Sequence, residues 1–483
     1  MNKEIKRVSI VVLCMFLALF VSTSVIQVGA ADSLNADARN TRTLDDSYNV
    51  QRGSILVAGQ PVAQSVPSND SYNYQRQYPQ GPLYSSVTGF FPISGAPTGV
   101  EGAMNSELSG TSNDDFFDQL QNLVTGKHPQ GNSVELTIDP VAQKAAYDAL
   151  GSQQGAVVLL QPKTGRVLAM VSKPDFDPNT LAVHDVKQVD ATYQQLLDAA
   201  GEPLINKSIN ELNPPGSTFK PVVLSAALES GDYTLDSQMP NPSSLTLPGT
   251  NTKIYNDTFS TCGPGDTVSL ETALILSCNI PYAELAMKVG SDAIKAQAEK
   301  YGFNQSFMVP MRTSPSEYPG YDSLADTAMS GFGQKDDRAT ALQMAMNSAA
   351  ISTGGVVMKP SLIESVLTPD LQARQSFKAT QFGRATSKNT ADDIAQTMVK
   401  DVSVGVASNA RIDGVKVGGK TGTAQNGPKD PYTLWFTGFA PANDPQFAVA
   451  VVVDNGGGLG QSGDGNSVAA PIAKKVLEAV LGK

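Results

Sequence analysis

Ala156-Val157-Val158-Leu159-Leu160 and Arg166-Val167-Leu168-Ala169-Met170-Val171 are apolar runs of strand length, joined by the turn-forming Pro162-Lys163-Thr164-Gly165. The next run of this kind, Phe447-Ala448-Val449-Ala450-Val451-Val452-Val453, comes only near the C-terminus. Its apolarity is continuous, as in a strand covered on both faces. Mainly helical sequence lies between the two ends. The chain is therefore expected to build one sheet from chain-distant strands with helices on its faces, an α/β (α+β) fold. Residues 455–466 read as a loop, and a helix is expected around Ile472, Val476, Leu477 and Val480.

With 483 residues, 41% hydrophobic and 17% charged, the chain has material for more than one domain and an ample core. A net charge of −11 leaves no basic footprint for nucleic acid. Cysteine is too scarce for a disulfide scaffold: Cys14 sits in an N-terminal apolar run, and only Cys262 and Cys278 lie beyond it. His128 and His184 are the only histidines. That leaves little room for a His-based zinc site or a Ser-His-Asp triad, and an activated serine needs another base; neither metal nor cofactor is expected.

Lys3, Lys6 and Arg7 precede an uncharged apolar run over residues 8–28, about the ~20 residues a helix needs to cross a bilayer. The preferred reading is a cytoplasmic tail at 1–7 and a transmembrane signal anchor at 8–28. The alternative is a cleavable signal peptide with its apolar core at 10–21 and small residues at Val28-Gly29-Ala30. Either way the remainder is exported. Residues 31–150 are rich in Asn, Ser, Gln, Tyr and Pro, and read as an extended, modestly packed module. Within it, Phe116, Phe117, Leu120 and Val124 recur at helical spacing, predicting one short amphipathic helix over 115–124. Its scattered tyrosines read as ordinary packing rather than a glycan-stacking surface. Residues 151–483 form the compact second module.

The chemistry begins at Asn213-Pro214-Pro215-Gly216-Ser217-Thr218-Phe219-Lys220. Ser-x-x-Lys at a helix start puts both side chains on one face, and Lys220 can take the Ser217 proton if its amine is kept neutral. Taken alone, the tetrapeptide reads as an N-cap serine followed by a surface lysine. Ser277-Cys278-Asn279 follows an apolar stretch and fits a short loop leaving a helix; Ser-x-Asn also occurs at Ser33, Ser47 and Ser71, as loop positions. In Val415-Lys416-Val417-Gly418-Gly419-Lys420-Thr421-Gly422-Thr423-Ala424, alternating valines predict a strand, and small residues allow a substrate backbone to approach. Lys420, Thr421 and Thr423 would offer a cation and two hydroxyls to a carboxylate.

Two decoys are set aside. Residues 414–421 spell Gly-x-x-x-x-Gly-Lys-Thr, formally a phosphate-binding loop, but Gly422, Asn426, Gly427 and Pro428 follow where a helix should begin. Lys163-Thr164-Gly165 repeats Lys-Thr-Gly, but in a hairpin turn ahead of the serine.

Ser-x-x-Lys, Ser-x-Asn and Lys-Thr-Gly in this order resemble the active-site set of the penicillin-binding proteins. Residues 52–63, from Arg52-Gly53 onward, resemble the juxtamembrane motif of class B members, and Gly99-Val100-Glu101-Gly102 resembles their next pedestal motif. Thr137-Ile138-Asp139 resembles the start of the catalytic domain, and residues 435–441 the strand after Lys-Thr-Gly. Among class B members the likeness is to the short actinobacterial penicillin-binding protein A type. It implies a transpeptidase domain with a central antiparallel sheet flanked by helices, an elongated dimerisation-type pedestal and one transmembrane helix.

The resemblance further implies that Ser217 attacks the penultimate D-Ala carbonyl of peptidoglycan stem peptides ending in D-Ala-D-Ala. Lys220 acts as base, Ser277 relays the proton, Asn279 holds the substrate amide, and Lys420, Thr421, Gly422 and Thr423 bind the carboxylate end. Backbone N–H groups of Ser217 and Thr423 form the oxyanion hole. β-Lactam antibiotics would be trapped at the same serine. The pedestal is too short for a glycosyltransferase domain, so a membrane glycosyltransferase of the shape, elongation, division and sporulation family is the implied partner at the cytoplasmic membrane. A D,D-carboxypeptidase shares every motif and is the alternative; a serine β-lactamase, an antibiotic sensor and a catalytically silent division scaffold account for fewer features. A Cys262–Cys278 bridge would tie the loop containing Asn279; otherwise the two are small buried hydrophobes.

Overall fold

The computed structural model describes residues 3–30, 48–112 and 130–483; the helix expected at 115–124 and the Ser33 and Ser47 loop positions lie outside them. Helix α1 (Lys3–Ser24) continues into one wider turn at Val25–Gly29. Its apolar side chains, among them Phe16, Leu17 and Phe20, are exposed, and Ile5–Gln27 is long and apolar enough to cross a membrane. Strands β1 (Ile55–Val57), β2 (Gln60–Pro67), β3 (Tyr74–Gln77) and β4 (Ser133–Leu136) come next. Helix α2 (Pro140–Leu150) leads into the hairpin of β5 (Gly155–Leu160) and β6 (Val167–Lys173). The middle of the chain carries α3 (Lys220–Glu229), α4 (Leu270–Ile275), α5 (Asn279–Val289), α6 (Leu324–Ser330) and α7 (Ala341–Ser352). Strands β7 (Ile363–Leu367) and β8 (Ala373–Ser376) and helix α8 (Lys388–Val404) follow. The meander β9 (Gly418–Ala424), β10 (Thr433–Ala440) and β11 (Phe447–Val453) precedes the final helix α9 (Ala469–Leu481).

The expected sheet of chain-distant strands is present. Its order is β9-β10-β11-β5-β6, with every pairing antiparallel and Val451 of β11 opposite Val157 of β5. Successive side chains point to opposite faces. Val157, Leu159, Val449 and Val451 pack in one cluster with Ala146 of α2 and Val476 of α9. Ala156, Val158, Ala450 and Val452 join the other, with Val223 of α3 and Met344 of α7. With both faces covered, polar alternation in β5 and β11 would bury unpaired groups, hence the continuous apolar runs. Each buried Val or Leu contributes about 1.5–3 kcal/mol relative to exposure. Helix α2 starts cleanly because the Asp139 carboxylate accepts the N–H groups of Val141 and Ala142, with Pro140 at the first helical position.

A second sheet, ordered β8-β7-β4-β1-β2-β3, crosses the division expected at residue 150. β7 pairs antiparallel with β4, so residues 363–376 complete a sheet begun by residues 55–77. The N-terminal module is correspondingly better packed than its composition suggested: Ile55, Val62, Tyr78 and Val134 share one apolar cluster with Val158 and Leu160. Pairing between strands so far apart leaves no local signature. The two pedestal motifs meet at Glu101, whose carboxylate accepts from Arg52 Nε at 2.7 Å and Arg76 Nε at 2.6 Å, all three side chains being buried. Burial alone would raise the Glu101 carboxyl, but Arg76 and Arg52 together hold it below the usual range.

Candidate active site

Ser217 lies in a 3₁₀ turn, Gly216–Phe219, that opens directly into α3, whose first residue is Lys220. Residues three apart nearly eclipse in such a turn, so Ser217 and Lys220 share a face. The turn is pinned to the sheet: Trp435 Nε1 donates to Pro214 O at 3.0 Å, and Gly216 N donates to Gly333 O at 2.9 Å. Gly216 sits at φ +55°, and a Cβ there would meet Ala424 Cβ at 3.2 Å, so glycine is required just before the serine.

Lys220 is fully buried; its Nζ donates to Ser277 O at 2.7 Å and Asn279 Oδ1 at 3.0 Å. Burial, reinforced by the nearby Lys420 ammonium, pushes its amine well below the ordinary lysine range.

Ser277 occupies the tight turn between α4 and α5, at φ +56°. Its N–H bonds Leu274 O at 3.1 Å and the Cys278 N–H bonds Ala273 O at 2.9 Å, closing α4 with a left-handed residue. A serine in this region is strained, and the surroundings hold it there. Asn279, the first residue of α5, donates from Nδ2 to Tyr255 O at 3.2 Å and Asp257 Oδ1 at 3.0 Å. Asn256 Oδ1 accepts the N–H groups of Asn279 and Ile280, at 2.9 and 3.0 Å, doing for α5 what a local cap would do. The loop that supplies Tyr255, Asn256 and Asp257 is tied back by a Cys262–Cys278 disulfide, with Cα atoms 5.8 Å apart. Neither Asn256 nor Asp257 stands out in the sequence; asparagine and aspartate in a loop read as turn formers.

Lys420, Thr421, Gly422 and Thr423 lie on β9, the edge strand of the main sheet. The strand expected across 415–424 begins at Gly418, so the phosphate-loop reading fails in the structure too: its Lys-Thr runs along a strand. Lys420 Nζ donates to Ser277 Oγ at 2.9 Å and Thr421 O at 3.2 Å, and lies 3.4 Å from Asp401 Oδ2 in an ion pair with both side chains fully buried. Thr423 Oγ1 accepts Gly465 N at 3.2 Å. The glycines are also required by packing. A Cβ at Gly418 or Gly419 would fall 2.4 Å from the ring of Phe439 or Phe436, and one at Gly422 would meet Pro215 O at 3.0 Å. Gly422 therefore lets the Ser217 turn sit against β9. Lys163-Thr164-Gly165 stands in the β5–β6 turn, away from these groups, with Lys163 bonding Asp444 at 2.6 Å.

Asp401, on α8, is the group that sequence reasoning missed. It is buried, its Oδ1 accepts Ala407 N at 2.9 Å, and burial raises its carboxyl to about 6 despite Lys420. An aspartate among Asp392, Asp393 and Lys400 on an amphipathic helix reads as surface, and only tertiary packing turns it inward. The assembled site thus holds a serine on a tight turn, a buried lysine with its amine pushed below the ordinary range, a second hydroxyl bonded to a buried cation, and an open strand edge. Such a set can transfer an acyl group from a peptide ending in a carboxylate.

Residues 155–478 match the penicillin binding protein transpeptidase domain, and residues 52–134 match the penicillin binding protein A dimerisation domain. The chain is 38% identical to the peptidoglycan D,D-transpeptidase PbpA of Mycolicibacterium smegmatis, across 100% of this chain and 99% of that protein. Identity to the protein of that name in Mycobacterium tuberculosis is 37% over the same shares. Among solved structures, the ceftriaxone acyl-enzyme of M. tuberculosis penicillin-binding protein A superposes with a TM-score of 0.87 at 36% identity, covering 90% of this chain and 100% of that one. Its penicillin G acyl-enzyme gives 0.84 at 35% identity, covering 89% and 100%.

Proposed function

Because the chain belongs to the penicillin-binding protein transpeptidases, we propose that it cross-links peptidoglycan through an acyl-enzyme on Ser217. It is a serine D,D-transpeptidase, and the observation that carries the residue assignment is the convergence of two lysines on Ser277, Lys220 on its carbonyl oxygen at 2.7 Å and Lys420 on its Oγ at 2.9 Å. Lys220 accepts the Ser217 proton as Oγ attacks the penultimate D-Ala carbonyl. The oxyanion takes the Ser217 and Thr423 N–H groups, each such donor lowering the barrier by about 3 kcal/mol. As the C–N bond breaks, Ser277 passes a proton to the departing D-Ala amine and is resupplied from Lys220. Lys420, with Thr421 and Thr423, holds the terminal carboxylate. The amine of a second stem peptide then attacks the ester, loses its proton by the same route and frees Ser217. With a β-lactam the amine leaving group stays attached through the opened ring, and the ester persists.

Helix α1 serves as a single-pass anchor with the basic Lys3, Lys6 and Arg7 on the cytoplasmic side and the catalytic part outside. Strand polymerisation then falls to a membrane glycosyltransferase. The test is turnover of lipid-linked glycan strands by the detergent-solubilised full chain, with cross-linked dimers and trimmed monomers resolved by mass. Cross-links support the reading; trimmed monomers alone would make the protein a D,D-carboxypeptidase.

A further inference from the structure

β9 is an edge strand, and no strand among the described residues pairs with its free side. On an antiparallel edge, alternate residues turn both N–H and C=O outward. One residue past the end of β9, Gln425 already has its outward groups filled. With its amide oriented to satisfy both, Gln334 donates to Gln425 O at 3.3 Å and accepts Gln425 N at 3.2 Å. This is the pairing a neighbouring strand would make, supplied by one side chain. Gln334 is fixed in place by its own backbone: its N–H bonds Met329 O at 3.2 Å, and the preceding Gly333, at φ +72°, accepts Gly216 N and leaves no room for a Cβ, which would fall 2.1 Å from Gly216 O.

By the two-residue alternation, Thr421 and Thr423 face the same free edge as Gln425. A donor peptide whose carboxylate lies at Lys420 and whose scissile carbonyl lies at the Thr423 N–H runs antiparallel to β9. Its preceding residues therefore head towards Gln425, roughly 7 Å beyond Thr423. We infer that Gln334 is a specificity-determining residue that stops strand pairing between β9 and the donor peptide at Thr423, by occupying the main-chain groups of Gln425. The inference rests on the acyl-transfer reading above. The stem peptide then adds to the edge only through its last residues, and the residues before them leave the sheet, where their side chains and any amidation go unread by β9.

The test uses the full chain in detergent and peptidyl-boronic acids ending in D-boroalanine, with one, two, three or four residues ahead of it. Fluorescent penicillin labelling of the same samples reports whether the Ser217 site is assembled. The expected wild-type series flattens once the first residue is present, the second, which would lie opposite Gln425, and later ones changing affinity less than about twofold. Gln334→Ala frees both Gln425 groups, so the longest boronate should bind it about tenfold more tightly than the short one, as two further main-chain hydrogen bonds allow. Gln334→Glu can accept the Gln425 N–H but cannot donate to its C=O, and should gain less. A wild-type series that keeps tightening with length, or flat series in both variants, overturns the inference. A wild-type protein that takes neither penicillin nor boronate overturns the acyl-transfer reading and this inference with it.

Discussion

Lys420 Nζ donates to Ser277 Oγ at 2.9 Å although 143 residues of chain separate them. The bond joins the edge strand to the turn between α4 and α5, and leaves the Ser277 hydroxyl proton free to point towards a leaving amine. Replacing Ser277 with alanine removes the proposed relay but neither lysine. The second-order rate of acylation by fluorescent penicillin is expected to fall about a hundredfold, within the range for a positioned proton-transfer group. A rate within threefold of wild type would remove Ser277 from the proton path.

As the proposed base Lys220 must be neutral to accept a proton, and burial beside Lys420 pushes its amine in that direction. Arginine stays charged in any such site. Lys220→Arg is expected to lose acylation by about a thousandfold at every pH tested, without the recovery at high pH that a merely lowered base strength would give. The depressed amine also sets a sign for stability. Between its folded and unfolded titration ranges the unfolded chain holds a proton the native chain lacks, so this group makes stability rise with pH there.

Asp401 acts in the opposite direction. Its carboxyl is raised to about 6, against about 3.9 in an unfolded chain, so between those values the native protein holds a proton the unfolded chain has lost. Stability from this group falls as pH rises through that window, by up to roughly 3 kcal/mol. Asp401→Asn removes this pH dependence but leaves the Lys420 ammonium buried without its partner, so the variant is expected to melt below wild type, by a margin that narrows as pH rises from 4.5 to 7. Penicillin acylation should also slow about tenfold, because Lys420 loses its buried counter-charge. Parallel melting curves with undiminished acylation would make Asp401 irrelevant to the site.

The Cys262–Cys278 disulfide joins cysteines 16 positions apart and closes a loop that contains Ser277. A loop of that length constrains the unfolded chain by about 3 kcal/mol. Denaturant midpoints with and without reductant should differ accordingly. Reduction should also slow acylation, since Asn256 and Asp257 hold Asn279 from the tethered segment.

The chemistry was more legible in the sequence than the scaffold was. Ser217, Lys220, Ser277, Asn279 and Lys420 could be singled out because three short motifs stand in the order that resembles the penicillin-binding proteins, and the fold brings Lys220, Ser277, Asn279 and Lys420 into hydrogen-bond contact. Strands β5, β6 and β11 could be named because burial on two faces demands unbroken apolar runs. The addition of β7 and β8 to the N-terminal sheet could not be read, since its register depends on partners more than two hundred residues away. Asp401, Asn256 and Gln334 were hidden for the same reason: each resembles an ordinary surface or turn residue until folding brings it against Lys420, α5 or Gln425. The left-handed Ser277 is a further case, a residue that local propensity disfavours in that conformation and that the site retains.

The most direct measurement is intact mass and peptide mapping of the detergent-solubilised chain after brief exposure to benzylpenicillin, with Ser217→Ala alongside. One penicilloyl adduct is expected, located on the peptide containing Ser217, persisting after the free drug is removed and missing from the variant. An adduct elsewhere, an adduct that survives the substitution, or folded protein that takes none would contradict the acyl-enzyme on Ser217.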